Sequence, residues 1–107
     1  MSKYIFLYRG PASQMQDMSE EESKKAMEAW GAWIGRLGPT LTDVGNPFGA
    51  RASVADDGTS PEPSDLHGYS IVEAADLDAA RALTDNHPFL TEGKGRFSVD
   101  VFELVPM

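Results

Sequence analysis

The chain opens on a run that is apolar at both parities. Tyr4, Phe6 and Tyr8 share one parity and Ile5 and Leu7 the other, until Arg9-Gly10-Pro11 breaks the run. Aromatic and branched residues bounded by a turn predict a strand. The period then changes to that of a helix. Ala26, Met27, Trp30, Trp33, Ile34 and Leu37 recur at steps of three and four, which places them along one helical face. Ser19-Glu20-Glu21-Glu22 marks the start. A serine oxygen there can accept from the Glu22 amide, and the carboxylates suit the positive end of the helix dipole. Gly38-Pro39 marks the end, glycine as a left-handed cap and proline as a breaker.

Between Thr40 and Asp65 the pattern is weaker. Leu41, Val44, Phe48 and Val54 suggest short extended pieces, and Ala55 to Ser64 reads as a polar loop. Gly68 to Ala74 predicts a strand carrying Tyr69, Ile71 and Val72. Asp76 can cap a second helix with Leu77, Ala80 and Leu83 on one face, and Asn86-His87-Pro88 should end it, because the residue before proline avoids helical geometry. Phe97 to Leu104 predicts the last strand, with Phe97, Val99 and Val101 on one face and Phe102 and Leu104 on the other. The order is β-α-β-β-α-β, an α+β sandwich of ferredoxin-like type. Two helices cover one face of a four-stranded sheet, yet the outer residues of the first and last strands are apolar on both. A second copy of the same sheet is the simplest cover, so a homodimer is expected.

Composition narrows the function classes. The chain has 107 residues, suited to a single domain over 1–107, and no cysteine. Disulfides, thiolate nucleophiles and cysteine-ligated metals are therefore excluded. With 9 basic and 17 acidic side chains the net charge is −8, which argues against a nucleic-acid partner. Glu20, Glu21, Glu22, Asp76 and Asp78 stand at predicted helix starts, and Asp56, Asp57, Glu62 and Asp65 in or beside the polar loop. Those positions account for the acidic excess without a cationic ligand. There is no leader-like or membrane-spanning run, so no membrane association and a cytoplasmic location are expected.

Several stretches together resemble the YCII-related family. They are Lys3-Tyr4-Ile5-Phe6-Leu7-Tyr8, the tryptophan-bearing helix, Gly45-Asn46-Pro47-Phe48-Gly49, Leu66 to Ala74, Asp76-Leu77-Asp78-Ala79-Ala80, His87-Pro88-Phe89-Leu90 and Val101 to Met107. The resemblance implies a ferredoxin-like fold paired sheet to sheet as a dimeric α+β barrel. Its wider superfamily holds small cofactor-free monooxygenases, lactone isomerases and dehalogenating lyases. Shorter members carry a proposed histidine–aspartate pair, but the corresponding positions here are Met27 and His87. Those roles are not carried over.

Read directly from the residues, His87 is the candidate catalytic group. Histidine titrates near neutrality and can act as general acid or base, with Asp85 or Glu92 to orient it or raise its pKa. The alternative is a ring that binds carbonyls at a helix end. Trp30, Tyr8, Tyr69 and Arg9 are candidate substrate contacts, the first as a wall, the others as polar groups near strand ends. Trp33 reads as core. His67 and His87 lack a ligand spacing, so no metal site is expected, and no cofactor either. Gly93-Lys94-Gly95-Arg96 is too short for a phosphate-binding loop and reads as a turn. Two functions stay open: a cofactor-free enzyme moving protons on a small organic molecule, and a non-catalytic dimeric module binding a small molecule or a protein.

Overall fold

Strand β1 (Ser2–Arg9) sits inside the sheet, paired along both edges with β3 (Leu66–Ala74) and β4 (Ser98–Leu104). The short β2 (Leu41–Asp43) completes an antiparallel sheet of order β2-β3-β1-β4. The structure is a computed structural model and describes residues 1–10, 19–90 and 93–107. The register separates the two faces. Tyr4, Phe6 and Tyr8 lie opposite Val72, Ser70 and Gly68 on one side and opposite Glu103, Val101 and Val99 on the other. This face meets the helices, and Tyr4, Phe6, Tyr8, Val72 and Ala74 are buried there. On the outer face, Ile5 lies between Ile71 and Phe102, and Leu7 between Tyr69 and Asp100.

Helix α1 (Glu20–Leu37) has the expected ends. Ser19 accepts from the Glu22 amide, and Gly38 adopts φ 54° before Pro39. It buries Trp33 and Leu37 against β1, with Trp30 and Ile34 packed alongside. Met27 does not join this stripe. It is 75% exposed, because burial along α1 is concentrated in its C-terminal half, from Trp30 onward.

Helix α2 (Leu77–Ala82) starts as expected, with Asp76 accepting from the Ala79 amide, but ends earlier than the sequence implied. Leu83, Thr84 and Asp85 bond back three residues, tightening the chain into turns, and Asn86 then takes φ 56°. A left-handed asparagine ends this segment, and Pro88 opens a separate 3₁₀ turn, Pro88–Leu90. Leu77, expected on the buried face, is 52% exposed; Ala80 is the α2 residue in the core. No helix of the described residues is long and apolar enough to cross a membrane.

The loop after β2 depends on one glycine. Gly45 has φ 82°, and its amide bonds the Asp43 carboxylate. A Cβ there would collide with the backbone carbonyl of Tyr69. Gly45→Ala is expected to destabilise the fold by about 1–3 kcal/mol through backbone strain and loop displacement. Urea unfolding of the variant checks this.

Candidate functional site

Among the described residues, the helix-side face contains one buried polar chain. β1 brings Tyr8, β3 brings Ser70, and the turn after α2 brings His87. His87 Nε2 lies 3.1 Å from the Tyr8 hydroxyl, which lies 2.6 Å from Ser70 Oγ. Ser70 Oγ donates to the Val44 carbonyl at 2.7 Å. At the other end, the Phe89 amide donates to His87 Nδ1 at 3.1 Å. His87 thus caps the 3₁₀ turn with its ring nitrogen, as a short polar side chain would cap a helix. Its ring is 1% exposed and Ser70 is fully buried.

Aromatic rings enclose the imidazole. Trp33 lies 4.2 Å from it between centroids, Trp30 4.9 Å and edge-on, Tyr8 5.1 Å, and Phe6 6.5 Å. Phe89 closes over Tyr8 at 5.2 Å and touches Phe97 at the same distance. Burial among these rings, with the Arg36 guanidinium as the second cause, lowers the His87 pKa from 6.5 to about 4. Burial likewise raises the Tyr8 phenol to about 12, against a smaller opposing effect of the Ser70 hydrogen bond. Near neutral pH both rings are uncharged.

This arrangement changes the role expected of His87. As an acid it would have to be an imidazolium at working pH, and its surroundings oppose that charge. Its hydrogen-bonding partners are Tyr8 and the Phe89 amide. Asp85 accepts from Arg36 through its carbonyl oxygen, and that cation depresses the histidine pKa instead of raising it. Glu92 lies outside the described residues.

The expected contact residues divide between the two sheet faces. Tyr8 and Trp30 stand with His87, their rings 5.4 Å apart. Tyr69 and Arg9 are on the outer face. Tyr69 bonds Asp43 at 3.4 Å and stacks on Phe48 at 6.0 Å. Arg9 pairs with Asp100 at 3.8 Å and lines an open cavity of about 310 Å³ with Gly10, Asp65, Gly95, Arg96 and Ser98. His67 bonds the Gly10 carbonyl at this end of the sheet. Ser70 belongs to the site although no motif singles it out. Its signal is its parity: it shares a strand face with Gly68, Val72 and Ala74, and a polar group on a buried face calls for a partner.

The profile of the YCII-related domain matches residues 1–104. The chain belongs to the YCII-related family. No curated protein gives a match. Among solved structures, this YCII-related domain is similar to a 5-chloro-2-hydroxyhydroquinone dehydrochlorinase from Burkholderia phenoliruptrix, solved in complex with 2,5-dihydroxybenzoquinone. The similarity has a TM-score of 0.60 at 19% identity, over 96% of this chain and 93% of the other. It is a likeness of fold, and the neighbour is an enzyme. The YCII-related domain thus has the small α+β architecture of a known small-molecule enzyme, with its own buried polar chain.

Proposed function

We propose that this YCII-related domain is a small cofactor-free enzyme that moves a proton on a phenolic or enolic molecule, as in isomerisation or elimination. The observation that carries this reading is the buried Tyr8–His87 pair inside an aromatic enclosure. Tyr8 is the group that exchanges the proton. Its raised pKa makes it a donor in the resting state, and the neutral imidazole behind it supports the phenolic oxygen as the proton leaves. Trp30, half-buried and edge-on to both rings, walls the substrate.

The fold neighbour's ligand supplies a first probe. Binding of 2,5-dihydroxybenzoquinone is expected to quench Trp30 and Trp33 fluorescence, and a panel of hydroxylated quinols is to be screened for turnover. Tyr8→Phe should lower turnover about 100-fold while keeping the fold. Undiminished turnover in that variant would remove the pair from the chemistry. The second reading, a non-catalytic binding module, is favoured by the deep burial of His87 and the engagement of both its nitrogens. Binding without turnover across the panel would select it.

The unit is further proposed to be a homodimer closed over the outer sheet face. Ile5, Leu7, Ile71, Phe102 and Leu104 share that face, and Phe102 is 54% exposed. Lys3 stands opposite Glu73, and Arg9 pairs with Asp100, so a chain of net charge −8 presents a nearly balanced patch to its copy. Light scattering should give about twice 11.6 kDa, and Phe102→Asp should return the mass to a single chain. A wild-type monomer at micromolar concentration would end this reading.

A further inference from the structure

We propose that Ser70 is a positioning residue that sets the direction of the buried hydrogen-bond chain and, through Tyr8, holds His87 as its Nε2–H tautomer. The catalytic consequence rests on the reading of the site given above; the tautomer rests on the hydrogen bonds alone.

The direction follows from either end of the chain. A carbonyl oxygen can only accept, so the Ser70 hydroxyl donates to Val44. The Ser70 oxygen is then left as an acceptor, and the Tyr8 hydroxyl, 2.6 Å away, donates to it. Tyr8 therefore offers His87 only lone pairs, so Nε2 must carry the hydrogen that spans the 3.1 Å contact. From the other end, a backbone amide can only donate. The Phe89 amide does so to Nδ1 at 3.1 Å, so Nδ1 carries no proton. Both ends give the same neutral Nε2–H ring. Reversing one bond would place two donors or two acceptors face to face in a buried space, where neither has a substitute partner.

The consequence is a division of labour. Ser70 draws the Tyr8 proton away from the imidazole, and His87 meets the phenolic oxygen with an N–H. When the Tyr8 hydroxyl turns from Ser70 to a substrate oxygen, its O–H bond breaks as the new O–H bond forms on the substrate, its electron pair stays on the phenolic oxygen, and the His87 N–H stabilises that charge. Were the tautomer reversed, a lone pair would face the same oxygen and oppose it. A serine on β3 and a carbonyl in the loop after β2 thus govern a ring held on the turn after α2.

The test is long-range proton–nitrogen NMR of His87 in the full chain at pH 7. In the wild type, Nε2 should appear protonated and Nδ1 unprotonated. In Ser70→Ala the Tyr8 hydroxyl loses its acceptor and competes through Nε2 with the Phe89 amide at Nδ1 for the ring's single lone pair, so both nitrogen signals should move toward averaged values and the Phe89 amide should exchange faster. Ser70→Thr, which keeps a hydroxyl, should restore the wild-type pattern. If alanine prevents folding, Ser70→Cys carries the same expectation, a thiol being a weak donor and acceptor. A wild-type Nδ1–H ring overturns the proposal, as does an unchanged His87 spectrum in the folded variant. Failure to find any turned-over compound would remove the enzymatic reading and leave the nitrogen signals to decide this one.

Discussion

Alanine at position 33 is expected to cost about 3–5 kcal/mol of unfolding free energy, the usual range for removing a buried large aromatic side chain. Trp33 is the point where several parts of the molecule meet. Its ring lies 6.3 Å from Phe6 on β1, 5.9 Å from Trp30 and 4.2 Å from His87. Its indole N–H donates at 3.0 Å to the Leu83 carbonyl, just beyond α2. Truncation therefore opens a cavity, leaves that carbonyl without its partner, and removes the ring nearest the imidazole. Against a typical total of about 5–15 kcal/mol, such a loss brings the domain close to unfolding in water. Urea denaturation measures it directly as a shifted midpoint. Trp33→Phe should retain most of the packing and lose mainly the hydrogen bond, about 1 kcal/mol. Equal effects of the two variants would show that packing is not what Trp33 contributes.

The second large effect comes from acid. His87 titrates at about 4 in the folded chain, against 6.5 as its ordinary value. Above pH 6.5 the ring is neutral in both states and folding gives up nothing. Between pH 6.5 and 4 the unfolded chain takes up a proton that the folded chain refuses, so stability falls with falling pH. Below about 4 the folded state also binds the proton and the loss levels off. With about 1.4 kcal/mol lost for each pH unit crossed between those two values, the contribution gone by pH 4 is about 3 kcal/mol. Carboxylates titrate in the same range, so the measurement is a difference. Wild type and His87→Gln share those carboxylates, and the gap between their stabilities should change by that amount from pH 7 to pH 4. A gap that stays constant would mean that the buried ring takes up its proton as easily as an exposed one.

Legibility in the sequence followed the range of the interactions involved. Local signals were reliable. Ser19 and Asp76 cap their helices as their positions predicted, and Gly38 takes the positive φ expected of a glycine cap, though with ψ −130° in place of the left-handed helical value. The two faces of β1 were readable because strand parity is a property of neighbouring residues. The end of α2 falls earlier than Pro88 suggests because Leu83, Thr84 and Asp85 bond back three residues and tighten into turns before Asn86 takes its positive φ. The site was only half visible. His87 and Trp30 were recognisable as types, but His87 lies 79 residues from the Tyr8 hydroxyl it meets, and Tyr8 lies 62 from Ser70. Such pairings are decided by sheet register, which no local window contains. Arg9 and Tyr69 were grouped with Tyr8 by nearness to strand ends, whereas alternation sends them to the other face.

The central position of β1 also bears on how the chain is made. Made before both of its neighbours, it lacks them until Leu66–Ala74 has been synthesised, and its second edge stays open until Ser98–Leu104 follows. Through that interval a strand apolar on both sides is exposed, with α1 the long element among the described residues available to shelter it. Misassembly during synthesis is therefore most dangerous in the first half of the chain, where unpaired apolar strand edges favour association with other chains. The acidic start of α1, Glu20-Glu21-Glu22, places repulsive charge close to that strand in sequence while it waits.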